Sequence, residues 1–270
     1  MSKIQSAIDA AKEKARIQAS LSQSGTYVRA RSKPYTMPVR LERGPMVLLS
    51  PPHMERNCLM PFLADKNATS AYNVLRTRVL QRMRENGWQS VIVTGTMANE
   101  GKTTTAINLA MGISQDVSQT VLLADMDLSR PSVASCLGIR GKKSLGDYLA
   151  GTAEAQEVIY NTDVDRLLVL PNFTPVHTSE SLVSPRMMAM FDHIKALDPE
   201  LLIVFDLPPI LQSDSVVALG PHVDCLLLVV SEGRTNRSLL GRASHMIENI
   251  PRLGTLLNRS SEGNTGGYYY

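Results

Sequence analysis

Short apolar segments recur along this chain, and they constrain its fold more than any other feature. They are "SVIVTG" (90–95), "TVLLAD" (120–125), "DRLLVLP" (165–171), "LLIVFD" (201–206) and "VDCLLLVV" (223–230). Their apolar residues follow one another without polar alternation, and helical stretches such as "SPRMMAMFDHIKAL" separate them. Such strands are buried on both faces of a sheet. The sequence therefore predicts an α/β fold, with a mostly parallel central sheet and helices on both faces.

One segment, "SVIVTGTMANEGKTTTAINLA", joins the first strand to a loop and a helix. The phosphate-loop pattern is a Gly, four residues and then Gly-Lys-Ser/Thr, and residues 101–103 fit its end. Thr96 stands where the pattern has its first glycine, and Gly95 lies one residue earlier. We expect Lys102 to reach the β and γ phosphates of ATP and the Thr103 hydroxyl to ligate Mg²⁺. The predicted nucleotide-binding residues of this P-loop NTPase fold are Ala98, Asn99, Glu100, Gly101, Lys102, Thr103 and Thr104.

Carboxylates follow two further strands. Asp125 and Asp127 end "VLLADMD", and their spacing in an extended chain points both side chains to one side. Asp206 ends "LLIVFD" and is followed by two prolines, which stop the strand. Because ligands bind beyond the carboxyl ends of parallel strands, these aspartates are expected beside the phosphate loop. Asp127 and Asp206, with Thr103, are the predicted magnesium ligands.

The chain has four predicted parts. Residues 1–22 read as an amphipathic helix, 23–67 as a basic, Pro-rich and extended linker, 68–258 as the P-loop domain, and 259–270 as a flexible tail ending in three tyrosines. Residues 1–58 carry ten Lys/Arg against four Asp/Glu, a basic arm that suits an acidic partner, an anionic membrane face or solvent.

Composition excludes several classes of protein. No run of about 18 apolar residues occurs, which argues against a membrane-spanning helix. The first residues lack the apolar core of a secretory signal. Three widely spaced cysteines, Cys58, Cys136 and Cys225, favour a reducing compartment over a disulfide framework or a zinc site. These features predict a cytoplasmic protein.

Taken together, these motifs resemble the cytoplasmic domain of bacterial tyrosine kinases (BY-kinases), a P-loop family related to partition and septum-site ATPases. The resemblance covers about residues 68–270. It is carried by "TGTMANEGKTTT", by the Asp-x-Asp of Asp125 and Asp127, by the Asp-x-x-Pro of Asp206 to Pro209, and by "LGTLLN". Met97 stands where partition ATPases carry an extra lysine, which favours the tyrosine kinase branch.

The resemblance implies an autokinase that transfers the ATP γ-phosphate to a terminal tyrosine cluster, here Tyr268, Tyr269 and Tyr270. It places Asn258 near the base. Lys102, Asp125 and Asp127 are the expected catalytic residues, with Asp125 accepting the tyrosine proton. The twelve tail residues suit transfer between subunits of a homo-oligomer.

The implied partner is a membrane protein that controls polysaccharide chain length, at the inner face of the membrane. The implied role is control of exopolysaccharide polymerisation and export, and no nucleic acid is expected.

The sequence also departs from the family pattern. Ser70 and Asn73 replace the Glu and first Arg of a Glu-x-x-Arg-x-x-Arg motif that keeps only Arg76, and Arg130 lies one residue after the usual arginine position, held by Ser129. These changes favour an alternative, a P-loop ATPase switch that regulates a membrane or septal partner without phosphorylating tyrosine. A DNA-partition ATPase and a non-catalytic adaptor are weaker alternatives.

Overall fold

The apolar segments of the sequence form the strands of a sheet. The computed structural model describes residues 44–260, apart from residues 64, 177–178 and 199. Within those residues the sheet has eight strands. They are β1 (Met46–Val47), β2 (Ser90–Gly95), β3 (Thr120–Asp125), β4 (Tyr160–Thr162), β5 (Leu167–Leu170), β6 (Leu201–Asp206), β7 (Cys225–Ser231) and β8 (Arg252–Asn258).

The sheet is mostly parallel, as predicted. Its order is β1-β4-β5-β3-β6-β2-β7-β8, and only the β4–β5 pair is antiparallel. Every residue of β2, β3, β6 and β7 is buried. Since neighbouring side chains of a strand point to opposite faces, Ile92 packs into one apolar core, and Val91 and Val93 pack into the other. Both faces therefore need a covering layer, which confirms the predicted fold class.

Helices supply that cover. They are α1 (Pro51–Arg56), α2 (Lys66–Asn86), α3 (Lys102–Ser114), α4 (Val133–Leu137), α5 (Leu145–Leu149), α6 (Ala155–Val158), α7 (Pro185–Leu197), α8 (Ser215–Leu219) and α9 (Arg237–Met246), with short 3₁₀ turns at Ser179–Val183 and Gly220–His222. In the part of the chain that the structure describes, none of them is both long and apolar enough to cross a bilayer.

Helix α2 precedes the first long strand, and its ends follow from its sequence. The Asp65 side chain accepts a hydrogen bond from the Asn67 amide at the start of the helix. Gly87 ends it with φ 68°, a left-handed conformation that costs a glycine little. Gly87 is therefore the C-cap of this helix.

The structure differs from the predicted linker between residues 46 and 60. This stretch contains β1 and α1, and its Met54, Leu59 and Met60 are buried in the core. Asn108 of α3 holds it, because its Oδ1 accepts a hydrogen bond from the Met60 amide at 2.8 Å and its Nδ2 donates to the Cys58 carbonyl at 3.1 Å. Prolines 51 and 52 do not prevent this, since the first turn of a helix tolerates proline.

Residues outside the described range include several predicted features. The helix predicted at 1–22, the linker up to residue 43 and the tail at 261–270 lie there. In the described residues, parallel strands end at a common edge of the sheet. The loops that follow β2, β3 and β6 leave from that edge.

Candidate functional site

A cavity of about 650 Å³ opens at the carboxyl ends of β2, β3 and β6. The predicted nucleotide-binding residues that line it are Ala98, Asn99, Gly101, Lys102, Thr103 and Thr104. They belong to the loop after β2 and to the first turn of α3. The N-terminus of a helix carries unpaired amides and a partial positive charge, so this wall of the cavity suits an anion.

The loop adopts a conformation that its glycine permits. Gly101 has φ 91°, and a Cβ there would collide with the side-chain amide of Asn258. The chain therefore needs glycine at this position both for its backbone angle and for space. Asn99 also has positive φ, at 63°, which asparagine tolerates better than most residues. These turns bring the loop backbone to the cavity wall.

Lys102 is the first residue of α3 and is only 8% exposed. Its Nζ donates a hydrogen bond to the Met97 carbonyl at 3.0 Å, so the side chain lies back across the loop. Burial lowers the pKa of Lys102, and the negative charges of Asp206, Glu100 and Asp127 oppose that shift. The cavity thus contains a cation whose protein partner is a carbonyl that a phosphate oxygen can replace.

Two of the predicted aspartates are directly paired in the sheet. Asp125 of β3 and Asp206 of β6 are register partners, and both are buried. Oδ2 of Asp125 accepts hydrogen bonds from the Ser132 and Val133 amides, each at 2.9 Å. Its Oδ1 and both carboxylate oxygens of Asp206 have no hydrogen bond of good geometry within the protein, although the Thr103 hydroxyl lies close enough to Asp206 to favour its charged form.

The pKa values of Asp125 and Asp206 are raised because both carboxyl groups are buried. Burial raises the pKa of Asp125 well above its usual value, and the neighbouring Asp206 adds to the rise. Burial also raises the pKa of Asp206 to about 7. Buried carboxylates with unused oxygens are costly unless a cation or water occupies the space beside them. These orphaned oxygens, next to the Thr103 hydroxyl at the cavity wall, fit the oxygen donors that Mg²⁺ requires.

Asp127 differs from the other two aspartates because it lines the cavity. It is half-buried, and its Oδ1 accepts hydrogen bonds from the Ser129 hydroxyl at 2.8 Å and the Arg130 amide at 2.9 Å. The structure thus brings all three aspartates to one edge of the sheet, with Asp127 facing the cavity and Asp125 and Asp206 beneath it.

Two of the predicted nucleotide ligands lie elsewhere. Glu100 is 1% exposed and does not line the cavity. Asn258, the last residue of β8, donates its side-chain amide to the Glu100 carbonyl at 2.9 Å and accepts the Arg259 amide at its Oδ1. The structure therefore places both side chains behind the loop.

Other residues of the cavity were not predicted. Ser129, Arg130, Ser132, Gln212 and Arg259 line it. Ser132 lies 3.2 Å from Thr103, hydroxyl to hydroxyl. The sequence showed Arg130 as an arginine one residue after the usual position in the family pattern, but it did not place Arg130 in the cavity. Arg259 was assigned to the tail. Tyr268, Tyr269 and Tyr270 lie outside the described residues.

A glycine-lysine-threonine loop at a helix start, facing strand-end aspartates across a cavity, defines a P-loop nucleotide-binding protein. The family model described as "AAA domain" matches residues 93–260. The chain therefore belongs to this AAA domain family.

Named relatives show which P-loop proteins this chain is similar to. The chain is 28% identical over 222 residues to the tyrosine-protein kinase YwqD of Bacillus subtilis (strain 168), covering 80% of this chain and 92% of that protein. The solved kinase domain of the Escherichia coli tyrosine kinase ETK superimposes with a TM-score of 0.66 at 28% identity, over 78% of this chain and 86% of that one. The predicted resemblance to bacterial tyrosine kinases is confirmed, and the chain has the fold of their kinase domains.

Septum-site ATPases are also similar to this chain, over a smaller share of its length. The septum site-determining protein MinD of Pyrococcus horikoshii OT3, solved with Mg-ADP, has a TM-score of 0.50 at 27% identity, over 65% of this chain and 72% of that one. This likeness agrees with a nucleotide-binding fold.

Proposed function

We propose that this protein is a tyrosine autokinase that transfers the γ-phosphoryl group of ATP to Tyr268, Tyr269 and Tyr270 at its own C-terminus. The observation that carries the proposal is the cavity itself, where a phosphate loop and Lys102 face strand-end aspartates. It occurs in a chain that aligns with 92% of a tyrosine-protein kinase. Tyrosine as acceptor is thereby favoured over water.

The loop and Lys102 bind the phosphates. Amides from Ala98 to Thr104 donate hydrogen bonds to phosphate oxygens, and the helix N-terminus adds positive charge. Lys102 exchanges its hydrogen bond to the Met97 carbonyl for one to a phosphate oxygen. Arg130 and Arg259 line the same cavity and add positive charge there. The chain therefore supplies orientation and charge neutralisation, on which phosphoryl transfer chiefly depends.

Thr103, Asp127 and Asp206 are the residues that would hold Mg²⁺. In the described part of the chain, no three acidic, histidine or cysteine side chains are arranged as a complete metal cage. Magnesium commonly keeps several waters and is held by few side chains together with phosphates, so such a cage is not required. When bound, Mg²⁺ neutralises charge that develops on the phosphate oxygens.

The reaction exchanges one bond to phosphorus for another. The tyrosine oxygen forms a bond to the γ-phosphorus while the bond from that phosphorus to the β–γ bridging oxygen breaks, leaving ADP. The phenol proton passes to a carboxylate, because tyrosine with its pKa near 10 is a poor nucleophile at neutral pH. Asp125 is the proposed acceptor, and Asp127 is the alternative because it lines the cavity.

Transfer between subunits is part of the proposal. Arg259 lines the cavity, and Tyr268 follows it by nine residues. A nine-residue segment spans at most about 30 Å, which allows it to enter the site of a neighbouring subunit. A homo-oligomer is the arrangement that such transfer needs.

The wider role follows from the tyrosine kinase relationship. We propose that the protein acts at the inner face of the membrane, through a membrane partner that controls polysaccharide chain length, and so regulates exopolysaccharide polymerisation and export. Phosphates added to the tail would place several negative charges there. Those charges would repel one another and the aspartates of the site, and would loosen the assembly.

The proposal is tested by replacing the three terminal tyrosines with phenylalanine. The full chain and the variant are incubated with Mg²⁺ and ATP labelled at the γ-phosphate, and phosphotyrosine is measured. Label is expected in the wild type and lost in the triple variant, whereas Tyr72→Phe on α2 serves as a matched control and keeps it. Equal labelling of the wild type and the triple variant would contradict the tail as acceptor.

A second candidate is an ATPase switch that phosphorylates nothing. It is favoured by Ser70, Asn73 and Ser129, which stand where tyrosine kinases of this type carry charged residues. It predicts release of phosphate from ATP without phosphotyrosine. The labelling experiment distinguishes the two, because only the kinase leaves the label on protein.

A further inference from the structure

Glu100 is a buried acid that the proposed mechanism does not use. Its carboxylate accepts three hydrogen bonds, although it is only 1% exposed. Oε1 accepts the hydroxyls of Thr96 at 2.6 Å and Thr235 at 2.5 Å, and Oε2 accepts the Met97 amide at 2.9 Å. Hydrogen bonds to a carboxylate are stronger than neutral ones, so these contacts fix the loop firmly.

These contacts explain why the loop departs from the usual pattern. Thr96 occupies the place of the first glycine, and its hydroxyl is one of the donors to Glu100. Gly95 lies one residue earlier, where a Cβ would collide with Glu100 Oε2 and approach the Val229 carbonyl to 2.8 Å. The glycine is therefore placed where it makes room for the glutamate.

The same glutamate reaches another part of the chain. Thr235 belongs to the turn at residues 232–236 that follows β7, and its hydroxyl oxygen also accepts the Ser231 amide at 3.0 Å. On the main-chain side, the Glu100 carbonyl accepts the Asn258 side-chain amide, and the Asn258 carbonyl accepts the Glu232 amide at 3.1 Å. Glu100 thus joins the phosphate loop to the ends of both β7 and β8.

We propose that Glu100 is a positioning residue that fastens the phosphate loop to the turn after β7 and sets its shape before nucleotide binds. We call Gly95, Thr96, Glu100 and Thr235 the Glu100 latch. The inference deepens the proposed nucleotide site and rests on it. Donors held in place in advance pay little ordering cost when the phosphate arrives, so the latch should appear in nucleotide affinity.

The test uses the full chain and Mg·ADP, which has no phosphoryl group to transfer to tyrosine. Calorimetry gives the Kd, and thermal unfolding without nucleotide gives the Tm. Thr235→Val removes one hydroxyl and keeps the shape of the side chain. It removes the hydrogen bond to Glu100 and the acceptor of the Ser231 amide. It is expected to raise the Kd about tenfold, the size of a lost hydrogen bond to a charged group. Thr235→Ser is expected to restore the wild-type Kd.

The control is Thr152→Val, which also removes a hydroxyl that donates to the protein, here to the Asp147 carbonyl on an exposed turn. It is expected to leave the Kd unchanged. A purely structural role would move the Tm and not the Kd, so a raised Kd supports the latch whether or not the Tm also falls. A wild-type Kd for Thr235→Val, or no recovery in Thr235→Ser, would overturn it.

A second pair of variants, at Thr96, keeps the inference testable if Thr235→Val fails to fold. Thr96→Val removes the other hydroxyl at Oε1 and is expected to raise the Kd similarly, with Thr96→Ser restoring it. Combined with Glu100→Gln, either valine variant should add less than its own separate fold-change, because the hydroxyl and the carboxylate act through one contact. Independent, multiplying effects would overturn the latch. If wild-type protein binds no Mg·ADP, the nucleotide site and the latch both fail.

Discussion

Asp206 shows, at the scale of one residue, how the site is built at a cost to the fold. Its carboxylate is buried, neither oxygen has a hydrogen bond of good geometry from the protein, and burial raises its pKa to about 7 against the opposing effects of Thr103 and Lys102. The unfolded carboxyl ionises near its ordinary pKa of 3.8. As the pH rises between these two pKa values, ionisation of the buried carboxyl lowers the free energy of unfolding by an increasing amount. The full cost applies above both values, and there is none below both.

Replacing this charge should make the empty protein more stable. We expect Asp206→Asn, without nucleotide and with a chelator, to raise the free energy of unfolding at pH 8 by on the order of 2 to 4 kcal/mol. The gain should shrink as the pH falls toward 4. Denaturant unfolding at several pH values measures it.

The same variant is expected to lose phosphoryl transfer, because a magnesium ligand is gone. Asp192→Asn, an exposed aspartate on α7, is the matched control and should change neither property. A destabilised Asp206→Asn protein, or a gain that does not depend on pH, would contradict this account of the buried carboxylate.

Gly101 allows a second residue-scale prediction. Alanine at Gly101 or at Gly87 meets the same left-handed backbone, which costs about 1 kcal/mol. Only at Gly101 would the new Cβ also displace the Asn258 amide, because nothing lies within 4 Å of a Cβ at Gly87. We therefore expect Gly87→Ala to lower stability alone, and Gly101→Ala to weaken Mg·ADP binding as well, by roughly tenfold.

Stability is measured by thermal unfolding and affinity by calorimetry. Equal affinities for the two alanine variants would show that the shape of the loop does not depend on Gly101.

Single residues also show how far sequence reasoning reaches. Lys102 and Thr103 line the cavity, because the loop motif fixes where the first turn of the helix lies. Glu100 and Asn258 do not line it, since a motif gives the order of residues and not the direction of each side chain. The roles of all four residues toward nucleotide and metal stay predictions. Arg259 was missed because only the end of β8 brings it to the cavity.

At the scale of elements, the long apolar strands could be predicted and the segment at 46–60 could not. The strands follow from runs of apolar residues, a local signal. β1 and α1 are short, and their positions depend on distant contacts such as that between Asn108 and Met60. The prolines and arginines of the wider 23–67 segment gave the appearance of a linker, whereas Leu49, Met54, Leu59 and Met60 pack into the core.

Met54 tests whether α1 is part of the folded domain. It is 2% exposed, whereas Met46 of β1 is 52% exposed. Met54→Ala is expected to lower the free energy of unfolding by about 2 to 4 kcal/mol, because a buried methionine leaves a cavity. Met46→Ala, the matched control, should change it by less than about 0.5 kcal/mol.

Chemical denaturation followed by fluorescence measures both variants. One cooperative transition is expected for each variant. Wild-type stability in Met54→Ala would mean that α1 is not held by the core.

At the scale of the whole molecule, the phosphate-binding site and the proposed tyrosine acceptors lie on different parts of the chain. The phosphate loop is held in the sheet frame, and the proposed acceptors follow Arg259 by nine to eleven residues. Transfer between subunits therefore predicts that one chain can phosphorylate another.

A mixing experiment tests this arrangement. A Lys102→Met chain that keeps its tyrosines is mixed with an active chain whose three terminal tyrosines are phenylalanine. Because the first chain lacks the phosphate-binding lysine and the second lacks the acceptors, label on the first must come from the second. An unlabelled Lys102→Met chain, beside wild type labelled in the same conditions, would contradict transfer between subunits.

Phosphotyrosine on the protein is the direct product of the proposed transfer from Mg·ATP to tyrosine at the phosphate loop and its aspartates. Phosphotyrosine is quantified on purified wild type, Lys102→Met and Lys142→Met after incubation with ATP, with and without Mg²⁺. Magnesium-dependent phosphotyrosine is predicted in the wild type and in the exposed-lysine control Lys142→Met, with a loss of at least about a hundredfold in Lys102→Met. Phosphotyrosine at wild-type level in folded Lys102→Met, or none in the wild type, would contradict it.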